Sequence, residues 1–162
     1  MLNQNIVQES LVKWMQEFVE VPHPQLGNWP PCPYARQARL TNNIDLRQGV
    51  DPYADCLSTL YDDWSKEVVI YWYDHTSISP YDFVDDVEKS NQILLPKGIV
   101  ALEDHPLVEE ITSGIKMNFG ICALIVLQRL SKLNDAADQL REKGYYNTWS
   151  QDDLASIVNW RY

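Results

Sequence analysis

Apolar residues recur at helical spacing in several parts of the chain. The stretch Ile6–Val19 and the stretches that begin at Asp51-Pro52, Ser79-Pro80 and Ser131 each place their apolar side chains on one face. Such spacing predicts amphipathic helices. Asp51 and Ser79 are good capping residues, and the proline after each suits the first helical position. These helices are predicted to run through Trp64, Leu94 and Lys143, and a last helix is predicted from Ser150 to near Trp160.

Two apolar runs lack this helical spacing. Glu67–Tyr73 is β-branched and aromatic throughout, which predicts a central strand covered on both faces. Cys122–Leu130 fits a strand or a buried helix by its period, and its Leu-Ile-Val-Leu run favours a strand. Shorter strands are predicted over Ile44–Arg47 and Ile99–Leu102, and a helical turn or loop over Leu107–Gly114.

Helices therefore alternate with about four strands, which predicts a single domain over residues 1–162 of the α+β or α/β class. The prediction is a small four-stranded sheet covered by helices, ferredoxin-like with extra N- and C-terminal helices. In it Ile44–Arg47, the helix from Pro52 and Glu67–Tyr73 form a βαβ unit. A doubly wound three-layer sheet is the alternative.

The net charge of −10 argues against nucleic-acid binding, because phosphate groups need a basic surface. No apolar run approaches the roughly 18 residues that indicate a membrane span, so no membrane partner is predicted. The polar start lacks the features of a signal peptide. The three cysteines contain no CxxC pair, and we therefore expect a cytoplasmic protein with reduced thiols.

The stretch Gly27–Leu40 surrounds Cys32 with three prolines. Pro33 is predicted to be the first residue of a short helix, which makes Cys32 its N-cap. The free N–H groups and the helix dipole would lower the pKa of a thiol in that position. Arg36, about one turn further on, would add to this effect or bind an anion. Cys32 is thus a candidate thiolate nucleophile or redox thiol, and the alternative is a structural cap.

A thiol nucleophile needs a base, and histidine is the natural one. His105 follows the predicted strand Ile99–Leu102 at its C-terminal end, where α/β folds tend to bind ligands. Asp104 or Glu103 would orient its ring. The candidate catalytic set is therefore Cys32, His105 and Arg36, and the alternative for His105 is an ordinary loop histidine before a proline.

Cys32 together with two of His23, His75 and His105 would also form a zinc or iron set. The long and irregular spacing is unlike that of structural zinc sites, which usually contain close ligand pairs, so no metal is predicted. The chain contains no GxGxxG, Walker A, HExxH or GxSxG motif, and no cofactor is predicted either.

A non-catalytic role is the other hypothesis. Aromatic residues are frequent near the C-terminus, in Gly144–Trp149 and Asn159–Tyr162. Tryptophan and tyrosine are good interface anchors, although they serve equally well to hold a terminal helix on the core. An acidic, aromatic-rich domain of this kind would bind an unknown small molecule or protein partner, or assemble as a homo-oligomer.

Cys32-Pro33-Tyr34-Ala35-Arg36 and His105-Pro106 resemble two motifs of an uncharacterised bacterial family of small proteins. That family has an N-terminal helix, a Cys-Pro-Phe-Ala motif followed by basic residues, and a later Phe-His-Pro. Here tyrosine replaces the phenylalanine of the first motif, and Asp104 replaces that of the second. The resemblance covers about Trp14 to Pro106. It implies the same architecture and singles out Cys32 and His105, and it implies no reaction.

Overall fold

A computed structural model of the chain describes all 162 residues. The helices are α1 (Gln4–Trp14), α2 (Ala35–Leu40), α3 (Pro52–Ser58), α4 (Pro80–Leu94), α5 (Leu130–Glu142) and α6 (Gln151–Asp153). The strands are β1 (Ile44–Gln48), β2 (Val68–Tyr73), β3 (Ile99–Asp104), β4 (Ile111–Thr112), β5 (Ile115–Lys116) and β6 (Ala123–Arg129). None of the helices combines the length and the apolar composition that crossing a membrane requires.

Side-chain caps confirm the helix starts predicted at Asp51 and Ser79, whereas the helix predicted from Ser131 begins at Leu130 without a side-chain cap. The carboxylate of Asp51 and the hydroxyl of Ser79 each accept a hydrogen bond from the backbone N–H three residues on, at 3.0 and 3.1 Å. They thereby satisfy N–H groups that a helix start leaves free. The predicted end at Trp64 is wrong, because a 3-10 turn after α3 ends at Tyr61. Trp64 has a φ of +53°, which a right-handed helix cannot contain.

Both ends of the chain are helical, as predicted, but their hydrogen-bond pattern changes along the way. The helix predicted over Ile6–Val19 is α1 continued by a π-helical turn, Met15–Val19. The helix predicted after Ser150 is α6 followed by a π-helical turn, Leu154–Val158, and a 3-10 turn.

The prediction of a helical turn or loop over Leu107–Gly114 misses a β-hairpin. β4 and β5 pair with Ile111 opposite Lys116, joined by Ser113 and Gly114, whose φ angles are +51° and +82°. Two residues with positive φ form the turn that matches the twist of a tight hairpin. Each strand has only two residues, which is too short to leave a periodic pattern in the sequence.

Four strands form one mixed sheet in the order β1-β2-β6-β3. β1 and β2 are parallel and are connected through α3, so the predicted βαβ unit is confirmed. β6 is antiparallel to both of its neighbours. β2 and β3 therefore run in the same direction on either side of β6, and α4 connects them. The α+β class predicted from the sequence is confirmed.

The ferredoxin-like detail of the prediction is not confirmed. A ferredoxin-like chain follows the order βαββαβ, so its second and third strands are joined directly. Here α4 lies between the second and third strands, and the direct connection joins β3 to the hairpin and β6. The doubly wound alternative is correct about three layers but not about a parallel sheet, because β6 is antiparallel.

Alternate residues of β2 enter two separate apolar clusters. Val69, Tyr71 and Tyr73 pack with side chains of α3 and α4 on one face of the sheet. Ile70 and Trp72 pack on the other face with side chains of α1. Helices therefore cover both faces of the sheet, and the prediction of a doubly covered central strand is confirmed.

Asn91 of α4 protects the edge of this sheet. β3 is an edge strand, so the outward N–H and C=O of its buried residue Ala101 have no neighbouring strand. The Asn91 amide oxygen accepts from the Ala101 N–H, and its NH₂ group donates to the Ala101 carbonyl, both at 2.9 Å. One amide side chain thus supplies the two hydrogen bonds that a further strand would have made.

We expect Asn91→Leu to lower the free energy of unfolding by roughly 2–4 kcal/mol, because it leaves a buried N–H and a buried C=O without partners. Urea unfolding monitored by circular dichroism measures the change. The matched control is Gln92→Leu at the exposed neighbouring position, which should change stability by less than about 0.5 kcal/mol. Equal effects of the two substitutions would show that Asn91 has no special role at the sheet edge.

Candidate functional site

Cys32 lies in a turn before α2 and not at the helix N-cap. Its N–H donates to the Val19 carbonyl, at the end of the first helix, and its carbonyl accepts from the Ala35 N–H, both at 3.2 Å. The turn closed by this second bond occupies the place where the helix was predicted to begin. α2 therefore starts at Ala35 with Tyr34 as its N-cap residue, two residues later than the start predicted at Pro33.

The predicted lowering of the Cys32 pKa is wrong in direction. Burial raises the pKa of this thiol, and the backbone N–H groups of Tyr34 and Ala35 oppose that effect without cancelling it. The residue as a whole is exposed, but the surroundings of its sulfur give the thiolate no net stabilisation. The Arg36 charge instead acts on Glu20, whose pKa is lowered mainly by its hydrogen bond to Arg39.

His105 is a buried residue with both ring nitrogens in use. Only 1% of its surface is exposed. Its Nδ1 accepts from the Leu107 N–H at 3.1 Å, so the ring proton must lie on Nε2, which faces the Ile78 carbonyl at 3.4 Å. The ring packs edge-on against Phe83, with centroids 5.4 Å apart. His105 therefore has the surroundings of a neutral structural histidine.

Asp104 does not orient the His105 ring as the sequence predicted. Its two carboxylate oxygens accept from the Asn118 side chain at 2.8 Å and from the Phe119 N–H at 2.9 Å. Burial raises the pKa of Asp104, although these two hydrogen bonds act to lower it. Burial and the charges of Asp104 and Glu103 also raise the pKa of Glu110 to about 7. Glu110 is exposed as a residue, so water screens part of that repulsion.

The structure does not bring together the Cys-His-His set that the sequence raised as an alternative, and no group of three or more histidine, cysteine, aspartate or glutamate side chains could hold a metal ion. His75 and His105 pack against each other with centroids 6.1 Å apart, after β2 and β3. His23 packs against Phe18 near the end of the first helix, which is the region that contacts Cys32. No hydrogen bond or ring contact joins Cys32 to a histidine.

The structure brings a cavity, four carboxylates and two exposed tyrosines together at one edge of the sheet, where the parallel strands β1 and β2 end. A cavity of about 300 Å³ opens there, between Gln48–Val50 and the loop from Tyr73 to Ser77. Ligands of α/β folds often bind outside the carboxyl ends of parallel strands. The side chain of Val50, on the rim of this cavity, is 91% exposed.

Four carboxylates gather next to this edge, at the N-cap of α3 and in the first two turns of α4. We call Asp51, Asp82, Asp85 and Asp86 the acidic face. Burial and the neighbouring charges of Asp51, Asp85 and Asp82 raise the pKa of Asp86, and only Lys89 opposes them. Lys89 is already paired with Asp85 at 2.7 Å. The acidic face therefore keeps most of its negative charge without a counter-ion from the chain.

Two exposed tyrosines belong to the same helix starts. Tyr53 follows Pro52 in α3, and Tyr81 follows Pro80 in α4; they are 36% and 80% exposed. α3 and α4 pack against each other, because each is the crossover helix after a parallel strand. Both helix starts were predicted correctly from the sequence, whereas the acidic residues of α4 were not predicted as a site. The Asp-Pro and Ser-Pro caps, together with the predicted βαβ unit, could have indicated from the sequence that these two acidic helix starts lie side by side.

Comparison of the chain with protein-family models, with curated proteins and with solved structures finds no match. The resemblance at Cys32–Arg36 and His105-Pro106 therefore stays a prediction.

We expect His105→Ala to lower the free energy of unfolding by roughly 2–4 kcal/mol, because it removes buried packing against Phe83 and leaves the Leu107 N–H without an acceptor. Chemical unfolding measures the loss. The matched control is His23→Ala, since His23 is half-buried and makes one 3.4 Å contact with a carbonyl; about 1 kcal/mol or less is expected there. A His105→Ala protein as stable as the parent would contradict the structural role and reopen a catalytic one.

Proposed function

We propose that this protein is a non-catalytic binding module whose acidic face docks an arginine-rich surface of a partner protein, with Cys32 in a structural role. The observation that carries the proposal is the concentration of four carboxylates at the starts of α3 and α4, of which only Asp85 has a salt-bridge partner. The raised pKa of Asp86, which burial and three neighbouring aspartates cause, supports it. A basic partner would relieve this repulsion on binding.

The chemistry of the acidic face favours arginine over lysine. Carboxylates accept the guanidinium fork in bidentate pairs, and aromatic rings stack on its plane. Asp82 and Tyr81 are consecutive exposed residues at the start of α4, and Asp51 and Tyr53 flank Pro52 at the start of α3. The exposed side chain of Val50 provides an apolar contact next to these charged groups, as interfaces commonly do.

Charge also argues against a second copy of the chain as the occupant. Each copy has a net charge of −10, so two acidic faces would repel each other. A basic partner gains from long-range attraction as well as from direct pairing. The three cysteines are all unpaired, which fits a proposed location in the cytoplasm.

We expect the triple variant Asp82→Asn/Asp85→Asn/Asp86→Asn to bind an arginine-rich peptide at least tenfold more weakly than the parent, because it removes three of the four carboxylates of the acidic face. Isothermal titration at 50 and 150 mM salt measures the affinity and its salt dependence. A lysine-rich peptide of equal length and charge should bind more weakly than the arginine-rich one. Tyr81→Ala should reduce that preference.

The matched control is Asp135→Asn/Glu142→Gln/Asp152→Asn. It removes the same charge from exposed positions on or after α5 and should leave the affinity within about twofold. Equal weakening by both triple variants would mean that the peptide responds only to net charge, and the proposed docking surface would then be abandoned.

A thiol site at Cys32 is the second candidate. The observations in its favour are the exposure of the residue and the two backbone N–H groups that act on its sulfur. Against it stand the raised pKa and the absence of a neighbouring base. The chemistry would be a thiolate attack on an electrophile or a redox exchange, and both need the ionised sulfur.

We expect the alkylation rate of Cys32 to reach its midpoint at a pH above the roughly 8.5 of a free thiol, because a raised pKa means less thiolate at neutral pH. Mass spectrometry after iodoacetamide labelling across pH 6–10 gives the midpoint. Cys56 and Cys122 are built-in controls, since both are fully buried and burial raises the pKa of each to about 12. A Cys32 midpoint well below 8 would favour the thiol site over the binding module.

A further inference from the structure

The function proposed above assigns no ligand to the cavity at the carboxyl ends of β1 and β2. Its volume of about 300 Å³ is at the lower end of the range for sites that bind small molecules. Gln48–Val50 form one wall, Trp72–Asp74 and Ser77 form the other, and Met1 and Leu2 complete the lining. The space therefore suits one small ligand or one side chain of a partner.

The two walls of the cavity are held together by the chain itself. The Tyr73 hydroxyl donates to one carboxylate oxygen of Asp55 at 2.9 Å. The same oxygen accepts from the backbone N–H groups of Val50 and Asp51 at 2.9 and 3.1 Å. Gly49 lies against the Tyr73 ring, where an added Cβ would collide with it. The cavity is therefore preformed, and little ordering of the chain is needed when a ligand binds.

The polar lining offers hydrogen-bond acceptors and contains no lysine or arginine side chain. One carboxylate oxygen of Asp74 accepts from the N–H and the hydroxyl of Thr76, at 3.0 and 2.7 Å, and the other oxygen has no partner in the chain. The bonds from Thr76 lower the pKa of Asp74, so the carboxylate is ionised at neutral pH. The Ser77 hydroxyl donates to the Asp74 carbonyl at 2.7 Å, which leaves the hydroxyl oxygen free to accept.

The loop that carries Asp74 and Ser77 also contains an unused buried nitrogen. The His75 Nδ1 is one of two buried side-chain polar atoms in the chain that lack a hydrogen-bond partner. Buried polar atoms are nearly always paired in native proteins. This wall of the cavity therefore has hydrogen-bonding capacity that the fold leaves unused.

We propose that the cavity binds a small organic cation, a guanidinium or an alkylammonium group, with the Asp74 carboxylate as its counter-ion. The free oxygens of Asp74 and Ser77 accept from the N–H donors of such a group. The buried side chains of Trp72 and Tyr73 also line the cavity, and aromatic rings attract cations that lie over their faces.

The cation comes either from a free small molecule or from an arginine or lysine side chain of a partner. The proposal does not rest on the binding function proposed above, because none of the four carboxylates of the acidic face lines the cavity.

The test is a titration of the ¹⁵N-labelled chain with ethylguanidinium chloride, at constant ionic strength balanced with sodium chloride. We expect the backbone N–H signals of Gly49, Val50 and Ser77 to shift and to saturate. Ethylurea has nearly the same shape and no charge, and it should leave these signals unchanged. A parallel titration with propylammonium chloride shows which cation is preferred.

Asp74→Asn should weaken ethylguanidinium binding several-fold, because it removes the counter-ion while an amide oxygen can still accept from Thr76. The matched control is Asp63→Asn in the loop before the same strand. The Asp63 carboxylate likewise accepts from a backbone N–H two residues on, and the titration of this variant should match that of the parent. Ser77→Trp should abolish the saturable shifts by filling the cavity.

An arginine-rich peptide distinguishes the two sources of the cation. If the peptide displaces ethylguanidinium and binds Asp74→Asn more weakly than the parent, the ligand is an arginine of the partner. If ethylguanidinium binds and the peptide does not compete, the ligand is a free small molecule.

The cation site is overturned if no signal saturates, if ethylurea causes equal shifts, or if Asp63→Asn weakens binding as much as Asp74→Asn. The function proposed above fails separately, through the variants of the acidic face. A peptide that loses affinity with those variants but not with Asp74→Asn would leave that function intact while the cation site failed.

Discussion

The two-sided burial of β2 is the constraint on which the rest of the structure depends. A strand whose residues are apolar on both faces must be covered on both, so helices are needed above and below the sheet. α3 and α4 cover the face of Tyr71 and Tyr73, and α1 covers the face of Ile70 and Trp72. β1 and β6 then satisfy its backbone on either side. All other elements attach to this three-layer arrangement.

This constraint also determines where the acidic face forms. Because β1 and β2 are parallel, their carboxyl ends meet at one edge, and the crossover helix that follows each strand begins there. The capping residues and first-turn acids of α3 and α4 are brought side by side as a result. Helix starts favour acidic residues individually because of the helix dipole. Placing two such starts together adds a repulsion between the helices: burial is the largest cause of the raised pKa of Asp86, and the charge of Asp51 at the other helix start comes next.

The sequence predicted most of the fold because the relevant signals are local. Periodicity located the long helices, β-branched and aromatic composition located β2, and the Asp/Ser-Pro caps located two helix starts. The strand order was not predictable in this way, because the position of β6 between β2 and β3 depends on long-range pairing. The surroundings of Cys32 were also predicted poorly, in this case for a local reason. The effect expected at Cys32 depends on the exact helix start, and a shift of two residues changed which residue stands at the cap.

His105 shows why the chemistry of a single residue misleads when its partners are unknown. It follows a strand, as a ligand-binding residue would, but its neighbours occupy both ring nitrogens. A polar group whose hydrogen bonds are already made within the protein has little left to offer a ligand. The balance of hydrogen bonds and charge around each buried group is therefore a better guide to function in this protein than residue type or position along the chain.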